Sequence, residues 1–170
     1  MTATTHEQSF RPHILLDELT ARADRGPGWH ILATDLSEPD LTLARAGVYP
    51  STELGNVRLR HLACFDHQGQ AYAVAAHLEE QVEFAVYDLL ETTTTSPPES
   101  IYGNFDLVLC CNVLYYYRQP QQGRILDKLL GCLAPGGYLV TGRTERHLVR
   151  RTQSLYEMTA CAPVFQTPTR

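Results

Sequence analysis

Residues 105–145 constrain this chain more than any other stretch. They read FDLVLCCNVLYYY, then a polar segment with a regular apolar stripe, then LAPGGYLVTGRTE. Phe105 to Cys110 is a short apolar run preceded by Gly103-Asn104. It is too short for a helix and reads as a buried parallel strand. From Gln121 to Leu133, apolar residues recur at Ile125, Leu129, Leu130 and Leu133, with charge on the opposite face, so this segment is expected to be a helix. Pro135-Gly136-Gly137 is expected to end it, with glycine supplying a positive-φ stop, and Tyr138 to Thr141 is the next strand. A strand–helix–strand crossover makes its two strands parallel and covers one face of the sheet. Open parallel sheets bind ligands just beyond the carboxyl ends of their strands. The segment to watch is therefore Cys110-Cys111-Asn112 and the three tyrosines that follow.

The rest of the chain repeats this alternation. His13 to Arg25 reads as a helix with Ile14, Leu15 and Leu19 on one face and Pro12 suited to its first turn. Trp29 to Thr34 is a compact strand ended by Asp35. Ser37 is placed to cap a helix running to about Ala46, and Gly47 to stop it. Val48 to Glu80 reads as a small excursion, weakly paired around a turn at His67-Gln68-Gly69. Val82 to Val86 is a third strand, ended by Tyr87-Asp88, and Glu91 to Ser100 is a polar loop. After Glu145 a short helix is expected, then an antiparallel pair from Leu155–Met158 and Ala162–Gln166. Acids end the strands at Asp35 and Asp88, and all three strand ends are expected along one sheet edge. A carboxylate there can accept both hydroxyls of a ribose; Asp35 could equally just start the turn before Ser37.

Composition removes several classes. The 170 residues suit one domain, and 44% hydrophobic content is too high for a disordered chain. A net charge of −5 argues against nucleic acid as the main partner. No apolar run approaches the length of a membrane span, and MTATTHEQSF lacks a signal-peptide core. The five cysteines have no framework spacing and are expected to be reduced, buried thiols in a cytoplasmic protein. The histidines show no metal spacing, and no metal site is assigned. Arg143, Arg146, Arg150 and Arg151 read as a solvated face that could meet an acidic partner.

The blocks ILATDLSEPDLTLARAGVYP, VEFAVYDLL, FDLVLCCNVLYYY and LAPGGYLVTGRTE, in this order and spacing, resemble the motifs of CheR-type chemotaxis methyltransferases from about Thr4 to Gln166. The resemblance implies a Rossmann-like α/β sheet with helices on both faces. It also implies S-adenosylmethionine as cofactor and glutamate side chains of chemoreceptors as the substrate. Asp35 matches the family acid that holds the ribose, and Asp88 with Leu89 matches the pair beside the adenine. Asn112 and Tyr116 match the asparagine and tyrosine of the family block CRNVLIYF, which makes Tyr116 the leading catalytic candidate and Asn112 a catalytic and cofactor-binding one. Tyr115 and Tyr117 are expected to pack. Gly142 and Glu145 match the block GHSE, and Glu7 lies where the cofactor loop GEEPYS would align.

This sequence departs from the family pattern at His6, which replaces the loop glycine, and at Cys111, which replaces the arginine of CRNV. A Cβ at the glycine position would hold the backbone away from a cofactor. The chain is also expected to lack the first, central strand and the N-terminal helical domain of the family. In that case the strands at Ile31 and Phe105 either pair directly or leave a gap that Met1 to Phe10 only partly fills, and open sheet edges favour self-association. Losing two or three hydrogen bonds would weaken cofactor binding by roughly 3–6 kcal/mol. Two functions follow: a methyltransferase acting on a protein carboxylate, or a non-catalytic remnant serving as an interaction or regulatory module.

Overall fold

The computed structural model describes residues 14–20, 28–52, 64–92, 94, 103–152 and 154–169. His6, Glu7, the Met1 to Phe10 segment and most of the polar loop from Glu91 to Ser100 lie outside them. The chain forms two compact units, Met1–Tyr87 and Asp88–Arg170.

In the first unit, helix α1 covers residues 14–20. Ile14 is buried, whereas Leu15 and Leu19 are exposed, so the apolar face expected of this helix narrows to one residue. Strand β1 (Ile31–Asp35) starts two residues later than the apolar run predicts and includes the acid that was expected to end it. It is followed by α2 (Glu38–Ala46), whose ends follow local chemistry closely. Ser37 Oγ accepts from Asp40 N at 3.3 Å, and Gly47 at φ +60° donates its N–H to Ala44 O at 3.1 Å. Strands β2 (Val48–Pro50), β3 (Phe65–Gln68) and β4 (Ala71–Val74) form an antiparallel sheet in the order β2-β4-β3. What reads in sequence as a weakly paired excursion is thus an ordered sheet, turning at Gly69-Gln70 with Gly69 at φ +69°. Its core is Ile14, Tyr49, Phe65, Val74 and Leu78, the last on the short helix α3 (Ala76–Glu79). Strand β5 (Val82–Val86) pairs parallel with β1, setting Asp35 opposite Val86.

The second unit holds β6 (Phe105–Cys110), α4 (Gln119–Cys132), β7 (Leu133–Thr141), α5 (Arg146–Val149), β8 (Tyr156–Glu157) and β9 (Val164–Gln166). Its sheet runs β6-β7-β9-β8, with β6 and β7 parallel and the last two strands antiparallel, as the terminal pair predicts. One face packs under α4: Ile125, Leu126 and Leu129 meet Leu139, Phe165, Leu133 and Val149 in a buried cluster.

Of the parallel pairing expected, β1-β5 is found within the first unit and β6-β7 within the second. Strand β6 is also less buried than its composition predicts. Leu107 is 43% and Leu109 45% exposed, because they point to the face of the sheet opposite α4.

Pro135-Gly136-Gly137 does not stop α4. The helix ends at Cys132, and Leu133 is already extended at φ −77°, ψ 142°. The motif lies inside β7 instead, where the register jumps from Phe105–Leu133 to Leu107–Tyr138. Three extra residues on β7 are thus looped out as a bulge, which proline permits because it has no N–H to leave unpaired. All five cysteines are free; Cys110 and Cys132 are buried, but Cys161 is exposed, against the expectation of burial throughout. Among the described residues, no helix is long and apolar enough to cross a membrane.

Candidate functional site

The loop after β6 is held from two directions. Glu145, at the end of a single 3₁₀ turn (Arg143–Glu145), is fully buried. Its Oε2 accepts from Asn112 N at 2.8 Å and Gly142 N at 2.9 Å, and its Oε1 accepts from Leu114 N at 2.6 Å. From the other side, Gln122 on α4 donates Nε2 to Leu114 O at 3.1 Å and Tyr117 O at 2.9 Å. The side chain of Leu114 is fully buried between these two clamps.

Gly142 is required by close approach. A Cβ there would lie 2.5 Å from Asn112 Oδ1 and 2.8 Å from Glu145 Oε2. Asn112 takes φ +60°, a left-handed conformation that asparagine tolerates better than most residues.

This clamp brings Asn112 and Tyr116 onto one rigid loop. Tyr116 is 52% and Tyr115 51% exposed. Their rings lie 4.4 Å apart, and Tyr115 Oη donates to Tyr116 Oη at 3.1 Å. Tyr115 is therefore not a packing residue, as its neighbours suggest in sequence; it is the ring partner of Tyr116. That hydrogen bond to Tyr116 raises the Tyr115 phenol above the ordinary tyrosine value. Tyr117 does pack against the core of the second unit.

The paired thiols are held toward their protonated forms. Burial, reinforced by Glu145, pushes Cys110 up to about 12. Burial, again followed by Glu145, raises Cys111, whose Sγ donates to Val140 O at 3.8 Å. A thiol is a nucleophile only as thiolate, so these surroundings disfavour both as nucleophiles near neutral pH.

The two strand-end acids make the same local turn. Asp35 Oδ1 accepts from Ser37 N at 2.9 Å, and Asp88 Oδ1 accepts from Leu90 N at 2.8 Å. The turn-forming role of Asp35 is thus present, alongside any contact its carboxylate makes with a ligand. Asp35 belongs to the first unit; Asp88, Leu89, Asn112 and Tyr116 belong to the second. Leu89 packs against the cluster that includes Leu114, so Asp88-Leu89 and the tyrosine loop share one core.

In sequence Glu145 carries only its match to a family block; its hold on the loop comes from contacts distant in the chain. The available signal was an acid three residues after Gly142, the spacing of a residue that reaches back to an unpaired N–H.

Arg146 and Arg150 are not a merely solvated face. Arg146 Nε donates to Glu157 Oε1, and Arg150 Nε donates to Glu157 Oε2 at 2.9 Å. The Arg150 hydrogen bond, then that of Arg146, holds the Glu157 carboxyl below the ordinary glutamate value. A depressed folded-state pKa contributes stability that is present above the unfolded value and lost as pH falls through the folded one. Urea midpoints taken from pH 7 downward are expected to show this contribution intact at neutral pH and disappearing below the usual glutamate range. Glu157→Gln should flatten that part of the acid limb; an unchanged pH profile would remove the pairing from the stability of the fold.

Parallel strand pairs, β1-β5 in the first unit and β6-β7 in the second, with a clamped aromatic loop at the carboxyl end of β6, place this chain among α/β proteins. The chain belongs to the CheR methyltransferase family, whose S-adenosylmethionine-binding domain matches residues 9–162. It is 36% identical over 141 residues to chemotaxis protein methyltransferase 1 of Pseudomonas aeruginosa, covering 80% of this chain and 48% of that protein. It is 32% identical over 158 residues to the chemotaxis protein methyltransferase of Escherichia coli, covering 88% and 52%. Against chemotaxis protein methyltransferase 1 of Vibrio cholerae it is 32% identical over 140 residues, covering 81% and 48%. The chain spans about half the length of the curated relatives it matches.

Proposed function

We propose that residues 1–170 form one catalytic module of a cytoplasmic, S-adenosylmethionine-dependent methyltransferase acting on glutamate side chains of chemoreceptor-like proteins. The clamped loop carries this reading. Glu145 fixes the N–H groups of Asn112 and Leu114, Gln122 fixes the carbonyls of Leu114 and Tyr117, and Tyr116 is left exposed on the result.

The cofactor supplies an electrophilic methyl group on a sulfonium. The protein's share is placement, which a rigid loop provides. A carboxylate acceptor is already ionised at neutral pH and needs no general base, in keeping with protonated cysteines and no basic dyad on this loop. Asp35, Asp88 and Leu89 would hold the nucleoside, with Glu7 and Asn112 at the amino-acid end. The Tyr116 hydroxyl would orient the incoming carboxylate.

The test uses tritiated S-adenosylmethionine with a receptor cytoplasmic fragment, scoring base-labile methyl esters, and calorimetry with S-adenosylhomocysteine. Asp35→Ala should weaken S-adenosylhomocysteine binding by about 10- to 100-fold, the loss of a hydrogen bond to a charged group. Tyr116→Phe should lower kcat while leaving that affinity unchanged. Binding without ester formation on any receptor fragment would sink the catalytic reading. The non-catalytic alternative has one observation in its favour. Cys111 puts a neutral, half-buried thiol where the family block carries arginine, so the loop lacks a fixed positive charge.

A further inference from the structure

We propose that the arginine-bearing surface of the Arg143–Glu145 turn and α5 docks an acidic polypeptide segment and delivers it to the loop carrying Tyr115 and Tyr116. Residues 143–151 hold four arginines and one acid, in a chain whose net charge is −5. That acid, Glu145, is turned inward, with both oxygens engaged by backbone N–H groups. Among the described residues, the carboxylate that answers these arginines is Glu157, and it is shared between Arg146 and Arg150. Arg143 and Arg151 are exposed and, among the described residues, have no carboxylate within ion-pair distance. Two cations are therefore left to a partner, in a chain with a surplus of acids elsewhere.

Arg146 donates to Ala160 O at 2.9 Å and Thr159 O at 3.1 Å as well as to Glu157, so this arginine is held to its own chain and the exposed Arg143 and Arg151 are the cations that can meet a partner. Glu145 links this surface to the candidate site. It lies between Arg143 and Arg146 in sequence, and it holds Leu114 N, one residue before Tyr115. The inference rests on the carboxyl-methylation reading, which makes the acceptor a glutamate; neighbouring carboxylates would then meet the arginines. A nucleic acid fits less well, since affinity for it grows with the number of phosphates neutralised and the chain as a whole is acidic.

The test measures fluorescence anisotropy of a fluorescein-labelled 15-residue oligoglutamate against the full chain at low salt. The double variant Arg143→Glu, Arg151→Glu alters two exposed side chains outside the clamp, and thermal melts are expected to match the parent. It should weaken peptide binding about tenfold or more, since two attractive charges become repulsive. The double lysine variant should stay close to the parent, and added salt should weaken the parent complex. Equal peptide binding by the parent and the double glutamate variant would overturn the proposal. So would single-stranded DNA of equal charge binding as tightly as the peptide. S-adenosylhomocysteine titrations on the same samples separate the two readings. If no S-adenosylhomocysteine binds while charge-dependent peptide binding persists, the methyltransferase reading fails and the docking surface stands.

Discussion

Glu145→Ala is expected to lower the stability of the chain by about 3–5 kcal/mol, among the largest effects of any single substitution in the second unit. Three N–H donors converge on this side chain, from Asn112, Leu114 and Gly142. Alanine supplies no acceptor, and the cavity it leaves is lined by those donors. Each buried donor without a partner costs about 1–3 kcal/mol, and the hydrogen bonds lost are of the stronger, charge-assisted kind. Glu145→Gln retains one acceptor oxygen but turns an amide N–H₂ toward at least one donor, so about half the loss is expected to remain. Gly142→Ala attacks the same clamp sterically, since its Cβ would fall 2.5 Å from Asn112 Oδ1 and 3.0 Å from Asn112 N. Urea unfolding monitored by far-ultraviolet circular dichroism measures all three. A Glu145→Ala loss below about 1 kcal/mol would mean that water replaces the carboxylate, and that the loop is not held as described.

What could be read in the sequence was set by local chemistry. Ser37 and Gly47 bound α2 because a side-chain acceptor and a positive-φ residue act within one turn of the helix they terminate. The strands at Val82 and Phe105 could be found because short apolar runs between turn residues have few alternatives. The parts that were missed depend on partners distant in sequence. Glu145 meets Asn112 and Leu114 across 33 and 31 residues, and no periodicity signals such a contact. Leu107 and Leu109 have the composition of buried residues, yet which face of a strand is covered is decided by the packing of α4. Tyr115 and Tyr117 look alike in sequence. The turn at Leu114–Tyr116 sends one outward beside Tyr116 and the other onto the core. Asn112 and Tyr116 stand as candidates because they match a family block. The clamp that makes their loop rigid could not be read that way.

The bulge in β7 supplies the second large effect and separates two roles for the same motif. If Pro135-Gly136-Gly137 only stopped a helix, Gly136 at φ +79° would be the sensitive position and Gly137 would tolerate alanine. In the structure the order is reversed. A Cβ on Gly137 would stand 2.9 Å from Ala134 O and 2.9 Å from Phe105 O, both backbone atoms, and 3.2 Å from Leu133 Cδ2. A Cβ on Gly136 would meet Thr169 Cγ2 at 2.9 Å, the tip of an exposed side chain that can rotate away. The bulge cannot slide to relieve the clash at Gly137, because the chain leaving β9 is bonded to it. Thr167 N donates to Gly137 O at 3.0 Å, Thr167 Oγ1 to Ala134 O at 2.9 Å, and Gly136 N to Pro168 O at 3.1 Å. Gly137→Ala is therefore expected to cost about 3 kcal/mol through backbone displacement, whereas Gly136→Ala should cost about 1–2 kcal/mol for a left-handed alanine. Urea midpoints for the two variants decide between the roles. If Gly136→Ala is the more damaging, the motif acts through backbone conformation as a stop, and the register jump opposite Phe105 is not what requires these glycines.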